Sequence, residues 1–596
     1  MNLSDPRSAL AIAACVFTAG TALADSPLAF RAWAPVPPMG WNSWDCFGTT
    51  VTEGQVLQQA DAMATLLKAH GWQYIVVDIQ WYEPEARSHS YRENARLEMD
   101  GNGRLVPAPN KFPSAAGGAG FAPLAARIHS MGLKFGVHLM RGIPRQAVDQ
   151  NLPVLGTSVR AADIVNRADT CPWNKDMYGV DVSRPGAQEY YDSVFALFAS
   201  WGVDYVKVDD MSRPYLTHEG EIEAVRRAID RCGRPIVLSL SPGETALSAA
   251  AHAAAHANLW RISDDLWDRW LALHDQFHRL EAWNPYRVQG GWPDADMLPL
   301  GVINLGERRT RLSPDEQRTM MTLWSVARSP LMFGGDLVSL DDATLRLITN
   351  DEVLEVNQAS TDNRPLFNRD DLIGWAARLA KGGDTVLALF NARDRVRLTP
   401  SNARFASAPT AGAPARAAVD ADISGASRLF LAAFPTGPSG EWDRILWRSP
   451  RIVMADGSAR PLESVPWRHA DAAWDSTAVA RDPSGAPIGI QAEVPAVVEF
   501  DLPAGASRLR AAGEVTSNGR GLAPGPVQFL VVAAGPEGTG PAGLPVAASL
   551  ASLGFPHGAL VRDLWARRDL GRFDGEFAPV IPFHGAGLYR LSAAGR

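Results

Sequence analysis

The feature that most constrains the fold is an alternation, between residues 36 and 335, of short β-rich apolar runs with longer amphipathic helical stretches. Strands separated by helices pair in parallel, and eight such units close into a barrel. The sequence therefore predicts an α/β fold, a (β/α)8 TIM barrel. The eight runs are placed at residues 37–44, 74–81, 134–140, 205–210, 235–241, 259–265, 292–300 and 330–335.

The stretch after the first run shows why a helix is predicted there. Thr52 and Gln55 have the spacing of a capping box, and Gly71 is a typical terminator. Between them, apolar residues recur at helical intervals, which favours one buried helix face. These apolar residues are Val56, Ala60, Met63, Leu66 and Leu67.

The chain changes character beyond residue 358, where strands are predicted at 372–379 and 385–391 without alternating helices. An Ala/Gly/Pro-rich stretch follows; it would suit a disordered linker, but alternating Val498, Phe500 and Leu502 favour a packed sheet. We predict a C-terminal antiparallel β-sandwich carrying an inserted β-sandwich module. The predicted domains are a signal peptide (1–24), the barrel (25–360), the C-terminal sandwich (361–400 plus 556–596) and the insert (401–555).

The N-terminus resembles an export signal, because Arg7 precedes an apolar stretch and the small-x-small segment Ala22-Leu23-Ala24. Cleavage after Ala24 would place the protein in the periplasm or outside the cell. Ile12-Ala13-Ala14-Cys15 leaves a lipoprotein anchor as an alternative. Removal of this signal would leave three cysteines, which are widely spaced and form no CxxC pair. No disulfide framework or zinc site is therefore predicted.

The composition limits the classes of partner that the chain can bind. The 57 basic and 65 acidic residues give a formal charge of −8 without any basic tract, which argues against nucleic acid. No apolar run reaches the ~20 residues of a membrane span. A neutral small-molecule or polysaccharide ligand fits best, and the sequence leaves the oligomeric state open.

Acidic residues close four of the eight predicted strands. Because active sites of such barrels lie at the C-terminal ends of the strands, these carboxylates are expected to converge on one mouth. The four strand ends are Val77-Asp78-Ile79-Gln80-Trp81, Lys207-Val208-Asp209-Asp210, Arg261-Ile262-Ser263-Asp264-Asp265 and Trp292-Pro293-Asp294-Ala295-Asp296.

Side-chain alternation separates the two members of each adjacent acid pair. Lys207 and Asp209 share one face, as do Arg261 and Asp265. A neighbouring lysine keeps a carboxylate ionised, as a nucleophile requires, whereas a less polar setting or a like charge keeps an acid protonated. Asp209 and Asp265 are therefore predicted to form a glycosidase pair, with retention of configuration if their carboxyls lie about 5–5.5 Å apart.

The neighbours Asp210 and Asp264 are predicted to point away from this mouth. Acids at strand ends often only cap helices or pair with basic residues. Four such strand ends beside tryptophans nevertheless favour a functional site. A metal centre using His138 and Asp78 is the rival interpretation, although no HxH or HExxH spacing supports it. The tryptophans that could stack on sugar faces are Trp41, Trp44, Trp81 and Trp292.

Several motifs together resemble glycoside hydrolase family 27, over residues 36–358 and again near the C-terminus. The resemblance implies a retaining glycosidase without a cofactor, with Asp209 as nucleophile and Asp265 as general acid/base. The motifs are Met39-Gly40-Trp41-Asn42-Ser43-Trp44, Tyr205-Val206-Lys207-Val208-Asp209, Trp260-Arg261 with Asp265, Asp294-Ala295-Asp296-Met297-Leu298, Ser329-Pro330-Leu331-Met332 and Val561-Arg562-Asp563-Leu564-Trp565.

By the same resemblance, further residues would bind the sugar. Asp78, Lys207, Arg261 and Asp296 would hold hydroxyls, with Trp41 beside the ring. The other predicted substrate-binding residues are Gln80, Trp81, His138 and Ser241.

The chain departs from the galactose-specific pattern of this family. Ile79 stands where a second aspartate is usual and cannot hydrogen-bond the axial 4-hydroxyl, and Ser241 aligns with the type found in α-N-acetylgalactosaminidases. His138 replaces a common Tyr, Arg141 follows it, and Met211 replaces a half-cystine. The insert resembles the galactose-binding-like module called NPCBM.

Together these features predict an exo-acting retaining α-glycosidase, with α-galactosidase as the leading activity. The alternatives are α-N-acetylgalactosaminides, β-L-arabinopyranosides or isomalto-type α-glucans on the same machinery. A non-catalytic sugar-binding protein is the remaining alternative.

Overall fold

The computed structural model describes residues 28–380, 383–412, 415–437, 442–519, 523–536 and 541–593; the predicted signal peptide lies outside them. Eight parallel strands form one sheet: β1 Met39–Asn42, β2 Tyr74–Val77, β3 Lys134–Met140, β4 Tyr205–Asp209, β5 Val237–Leu240, β6 Leu259–Arg261, β7 Trp292–Asp294 and β8 Leu331–Phe333. Their order in the sheet is β7-β6-β5-β4-β3-β2-β1-β8. A parallel bridge between Leu298 and Phe333 joins the two edges, so the predicted TIM barrel is confirmed.

Helices surround the barrel. The capping box predicted at Thr52 and Gln55 starts the first long one, with the Thr52 amide donating to Gln55 Oε1 at 2.9 Å. Its predicted apolar face is buried except for Leu66, which is 38% exposed. The helices of seven or more residues are Glu53–Leu66, Ala122–Ser130, Ala187–Trp201, Tyr215–Arg231, Ala250–His256, Trp270–Trp283, Pro314–Ala327, Asp342–Ile348 and Asp351–Ala359. Shorter helices are Trp44–Phe47, Arg145–Asp149 and Ala161–Ile164.

The barrel interior has an apolar lower part and a polar upper part. Alternation along each strand explains this: on β4 the inward Tyr205 is followed by Lys207 and Asp209, while Val206 and Val208 pack outward. The apolar part fills the space below the mouth, which leaves the charged residues at the C-terminal ends. Its residues on the strands are Tyr74, Val76, Tyr205, Val237, Leu259, Trp292 and Met332.

After the barrel, an antiparallel six-stranded sheet combines two separated parts of the chain. Its order is Ser360–Arg369, Leu372–Leu379, Thr385–Asn391, Gly585–Ala593, Ala559–Asp563 and Arg568–Phe573. The chain between its third strand and Ala559 therefore leaves the sheet and returns to it. Two short pairs, Gly543–Pro545 with Val580–Pro582 and Ala548–Ser549 with Glu576–Phe577, accompany it.

The intervening chain forms a nine-stranded antiparallel sheet with its own core. The outer face of this sheet, including Phe430 and Leu530, packs on Leu271 of the barrel helix Trp270–Trp283. The strands are Phe405–Ala406, Ala415–Asp422, Arg428–Pro435, Asp443–Met454, Ala459–Pro461, Trp467–Arg481, Pro487–Asp501, Ala506–Asn518 and Val527–Ala534. Within the described ranges, no helix combines the length and apolarity needed to cross a bilayer.

Candidate active site

Lys207 and Asp209 lie together at the top of β4. Lys207 Nζ is 3.7 Å from Asp209 Oδ1 and 2.9 Å from Asp78 Oδ2 at the end of β2. Asp78 also accepts from Asn42 Nδ2 at 2.7 Å and from the Ile79 amide at 2.8 Å. The ammonium group therefore bridges two buried carboxylates from different strands.

Asp209 is surrounded by positive charge. His138, opposite Lys207 in the register of β3 and β4, places Nε2 3.0 Å from Asp209 Oδ2. Burial alone would raise the pKa of Asp209, but the charges of Lys207, His138 and Arg261 outweigh it and hold the pKa at about 2. Asp209 is consequently ionised across the ordinary working range of pH.

Asp265 contacts Arg261, the last residue of β6. Arg261 Nη2 is 3.1 Å from Asp265 Oδ1 and 2.7 Å from Asp296 Oδ2. Burial raises the pKa of Asp265; Arg261 and Lys207 oppose the rise, and the nearby carboxylates Asp264 and Asp209 add to it. The two predicted catalytic acids therefore differ in the direction of their pKa shifts, as an acid/base pair requires.

Asp296 shares this environment with Asp265. Its side chain accepts from the backbone amides of Leu266 and Met297, both at 2.7 Å. Burial raises its pKa to about 7 against the opposing charge of Arg261, with further contributions from Asp265 and Asp294. Loss of a proton from Asp265 and Asp296 is therefore a joint event rather than two independent titrations.

The two acids predicted to point away do so. Asp210 pairs with Arg141, whose Nη2 is 2.8 Å from Asp210 Oδ2, and Asp264 pairs with Arg213 at 2.5 Å. Asp209 lies within β4, where alternation applies, whereas Asp264 and Asp265 lie in the loop after β6.

Three predicted sugar-contacting residues are fully buried and hydrogen-bonded within the protein. Trp41 and Trp81 have no exposed surface, and their indole N–H groups donate to the backbone carbonyls of Gly335 and His138, each at 2.9 Å. Gln80 is equally buried and donates to Asp176 Oδ2 at 2.6 Å. Their contact with a sugar therefore stays a prediction.

The remaining predicted binding residue, Ser241, is also buried but touches the site. Its Oγ accepts from Arg261 Nη1 at 3.4 Å. It therefore supports the guanidinium that lies between Asp265 and Asp296.

Sequence reasoning missed two groups near the acids. Asp45 is buried, and its pKa is raised by burial and by nearby Asp296. Tyr91 has its phenol pKa raised by burial and by Asp209 and Asp78. Asp45 directly follows Trp44 beside the first strand, which was a usable signal, whereas Tyr91 comes from a loop with no recognisable pattern.

A metal ion is a poor occupant of this site. Asp78, His138 and Asp209 do bring one ligand atom each within 4.8 Å of one another. Lys207, however, already lies among them, and its charge would repel a cation. Glu223, His252 and His256 form a second such group among the described residues, away from the barrel mouth.

Residues 175–359 match the family described as Alpha galactosidase A. An α-galactosidase from Cyamopsis tetragonoloba is 31% identical over 377 residues, which cover 63% of this chain and 77% of that protein. Alpha-galactosidase A of Cellvibrio japonicus is 28% identical, covering 61% and 78% of the two chains.

Two kinds of solved structure are similar over nearly the whole chain. A family 27 β-L-arabinopyranosidase from Geobacillus stearothermophilus is 39% identical with a TM-score of 0.69, covering 96% of this chain and 100% of that one. A putative α-N-acetylgalactosaminidase from Bacillus halodurans C-125 is 35% identical with a TM-score of 0.62, covering 94% and 97%. The paired acids at the barrel mouth and these similarities lead to one conclusion: the chain belongs to glycoside hydrolase family 27 and is a glycoside hydrolase.

Proposed function

We propose that this enzyme removes a terminal galacto-configured sugar with retention of configuration, using Asp209 as the nucleophile and Asp265 as the general acid/base. One observation carries the proposal. The two carboxyls flank the cations Lys207 and Arg261, with the pKa of one lowered to about 2 and that of the other raised. One acid is therefore held ionised, while the protonated form of the other is favoured.

The reaction is a double displacement. The Asp209 carboxylate attacks C1 while Asp265 gives its proton to the glycosidic oxygen, so the C1–O bond breaks and a glycosyl ester of Asp209 forms. Asp265, now a carboxylate, takes a proton from water as the water oxygen attacks C1 and displaces Asp209. Two inversions give net retention.

The neighbouring polar residues are proposed to hold the ring hydroxyls. Lys207 and Asp78 would bind on the side of Asp209, and Arg261 and Asp296 on the side of Asp265. His138 and Ser241 contact Asp209 and Arg261 and would act by holding these groups in place.

Ile79 favours a particular sugar. It follows β2, is 1% exposed and offers no side-chain hydrogen bond. β-L-Arabinopyranose has the ring of α-D-galactopyranose, axial 4-hydroxyl included, but lacks the C6 hydroxymethyl group. An apolar side chain beside the ring therefore leaves no 6-hydroxyl without a partner in the arabinoside, as it would in the galactoside. We propose that β-L-arabinopyranosides are preferred and that α-D-galactosides remain substrates; the full-length similarity to the Geobacillus stearothermophilus enzyme supports this.

A second candidate is the α-N-acetylgalactosaminide, which the small Ser241 favours together with the similarity to the Bacillus halodurans protein. Against it, Ser241 is 1% exposed and holds Arg261, so little room is open beside its hydroxyl. We therefore rank the hydrolysis of α-N-acetylgalactosaminides below that of β-L-arabinopyranosides.

A panel of p-nitrophenyl glycosides tests the function: β-L-arabinopyranoside, α-galactoside, α-N-acetylgalactosaminide and α-glucoside. We expect arabinopyranoside first and galactoside second, both lost in Asp209→Ala, and a retained anomer as the first product seen by NMR. In Ile79→Asp the ratio of kcat/KM should move toward the galactoside by about tenfold, as a gained polar contact predicts. Turnover that survives Asp209→Ala, or an inverted first product, would disprove the mechanism.

We further propose that residues 1–24 direct export and are removed, and that the nine-stranded sheet is a carbohydrate-binding module. The small-x-small segment before Asp25 and the resemblance to NPCBM modules support these points. N-terminal sequencing of the exported protein tests the first; an unprocessed Met1 would contradict it. Binding of the enzyme to immobilised galactose-containing polysaccharide, compared with that of a variant lacking the sheet, tests the second.

A further inference from the structure

A cavity of about 440 Å³ opens beside Asp265, between the barrel and the nine-stranded sheet. Its lining includes residues 263–266 but neither Asp209 nor Lys207. The other walls are the barrel helix Trp270–Trp283, residues 392–399 and parts of the nine-stranded sheet. This volume lies within the range of about 300–1,000 Å³ that is usual for small-molecule sites.

Two tryptophans from the nine-stranded sheet line this cavity. Trp442 and Trp474 stack with ring centroids 4.5 Å apart and planes at 24°. Both have a positive φ, +86° and +58°, which is unusual for bulky residues and is found preferentially at functional sites. Trp474 is 39% exposed, so part of its surface remains open to a ligand.

The segment that carries Trp474 is fixed to the barrel. Asp471 accepts from Arg269 at 3.2 Å and from the Leu271 amide at 3.0 Å. Asp475 accepts from Arg311 Nη2 at 2.7 Å. The aromatic pair is therefore held in a set position relative to the loop that bears Asp265.

The barrel side of the cavity offers polar groups that the protein does not use. Ser263 and Gln276 are 3% and 2% exposed and both line the cavity. Within the described part of the chain, neither Ser263 Oγ nor Gln276 Oε1 has a hydrogen-bond partner. A buried polar group without a partner is costly, so these atoms are well suited to hydroxyls of a ligand.

The charged groups of the cavity compensate one another. Arg269 pairs with Asp471, Arg279 with Asp275, and Asp371 lies 3.6 Å from His274. Such a lining favours a neutral polyhydroxylated ligand over a strongly charged one.

We propose that this cavity binds the leaving-group saccharide, so that the nine-stranded sheet completes the substrate site. The proposal rests on the proposed function, because the leaving group departs on the side of Asp265, which protonates it. The apolar face of a pyranose ring packs on Trp474, and its hydroxyls bond Ser263 and Gln276. The preferred substrate class is thus a terminal sugar on an oligosaccharide of at least two residues.

The first experiment compares leaving groups. Full-length enzyme is assayed on raffinose, whose leaving group is sucrose, and on α-galactosyl fluoride, whose leaving group is one atom. We expect Trp474→Asn, which tolerates the positive φ, to lower the ratio of the two kcat/KM values roughly three- to tenfold. Gln276→Leu, which removes a buried amide without changing volume much, should lower the same ratio. Tyr286→Ala, an exposed aromatic residue outside the cavity, is the matched control and should leave the ratio unchanged.

The second experiment measures binding without turnover. Sucrose is titrated into the full chain while tryptophan fluorescence is followed. We expect a saturable change that is retained in Tyr286→Ala and lost in Trp474→Asn. A ratio unchanged in both cavity variants, or a sucrose response equal in Trp474→Asn and the parent protein, overturns the proposal. If no glycoside in the panel is cleaved, the proposed function fails, and the titration alone decides the cavity.

Discussion

The ends of β4 and β6 both carry two adjacent aspartates, yet the two ends are built differently. On β4 the inward acid is the first of the pair, Asp209, and belongs to the strand itself. On β6 it is the second, Asp265, four residues beyond Arg261 in the following loop and 37% exposed at its side chain. The same residue type therefore occupies a rigid position in one case and a loop position in the other.

The surroundings give these acids opposite pKa shifts. Asp209 is buried, but its interactions with Lys207, His138 and Arg261 lower its pKa. At Asp265, burial together with the carboxylates Asp264 and Asp209 outweighs Arg261 and Lys207, so its pKa rises. The comparison teaches that the balance of basic groups and other carboxylates around an acid, and not burial alone, sets the direction of its pKa shift.

The largest effect is expected at Asp209. Asp209→Ala removes the nucleophile, and we expect kcat/KM to fall by at least about 10⁴-fold. Azide added to this variant should attack from the vacated side and give a glycosyl azide of inverted configuration, identified by NMR. An azide product of retained configuration would place the nucleophile elsewhere.

Asp265→Ala should cost less and depend on the leaving group. We expect a loss of about 10²–10⁴-fold for an oligosaccharide and a much smaller loss for a glycosyl fluoride, whose departure needs less protonation. Azide should here give the retained product. Since activity requires protonated Asp265, the alkaline limb of the pH profile should also disappear; equal losses on both substrates would contradict the assignment.

Lys207→Met tests whether cations separate the two acids. Without the ammonium, burial of Asp209 is less compensated, so its pKa should rise and the acid limb of kcat/KM should move to higher pH. We expect a loss of activity of about 10²-fold, because the bridge to Asp78 is lost as well. Lys134→Met, on β3 at the opposite end of the barrel, is the control, and an identical pH profile in both variants would argue against the bridge.

Asp210→Asn should have the smallest effect, although it changes the residue next to the nucleophile. Asp210 faces Arg141, so kcat/KM should change by less than about tenfold. Burial raises the pKa of Asp210 to about 6, so the folded state binds this proton more tightly than the unfolded state. Its contribution to the stability of the folded state therefore falls as pH rises from about 4 to 6. The thermal midpoint of Asp210→Asn should not show this pH-dependent fall. A loss as large as that of Asp209→Ala would invert the assignment of faces.

Much of the barrel could be predicted because its signals are local. Each of the eight predicted runs contains an observed strand, and the capping box at Thr52 forms as expected. The inward positions of Lys207 and Asp209 follow from a period of two. The full burial of Trp41, Gln80 and Trp81 could not be predicted, because it depends on how helices and loops pack over the strand ends.

The sequence by itself determined the order of strands, the acids at their ends and the inward position of Asp209 on β4, because these depend on periodicity along a few residues. Only the tertiary structure decided which charges surround each acid and where the nine-stranded sheet meets the barrel. The contacts of Arg261 with Asp296 and of Arg311 with Asp475 join residues 35 and 164 positions apart. Such contacts depend on the packing of whole elements in three dimensions, and electrostatics at the site follows from them.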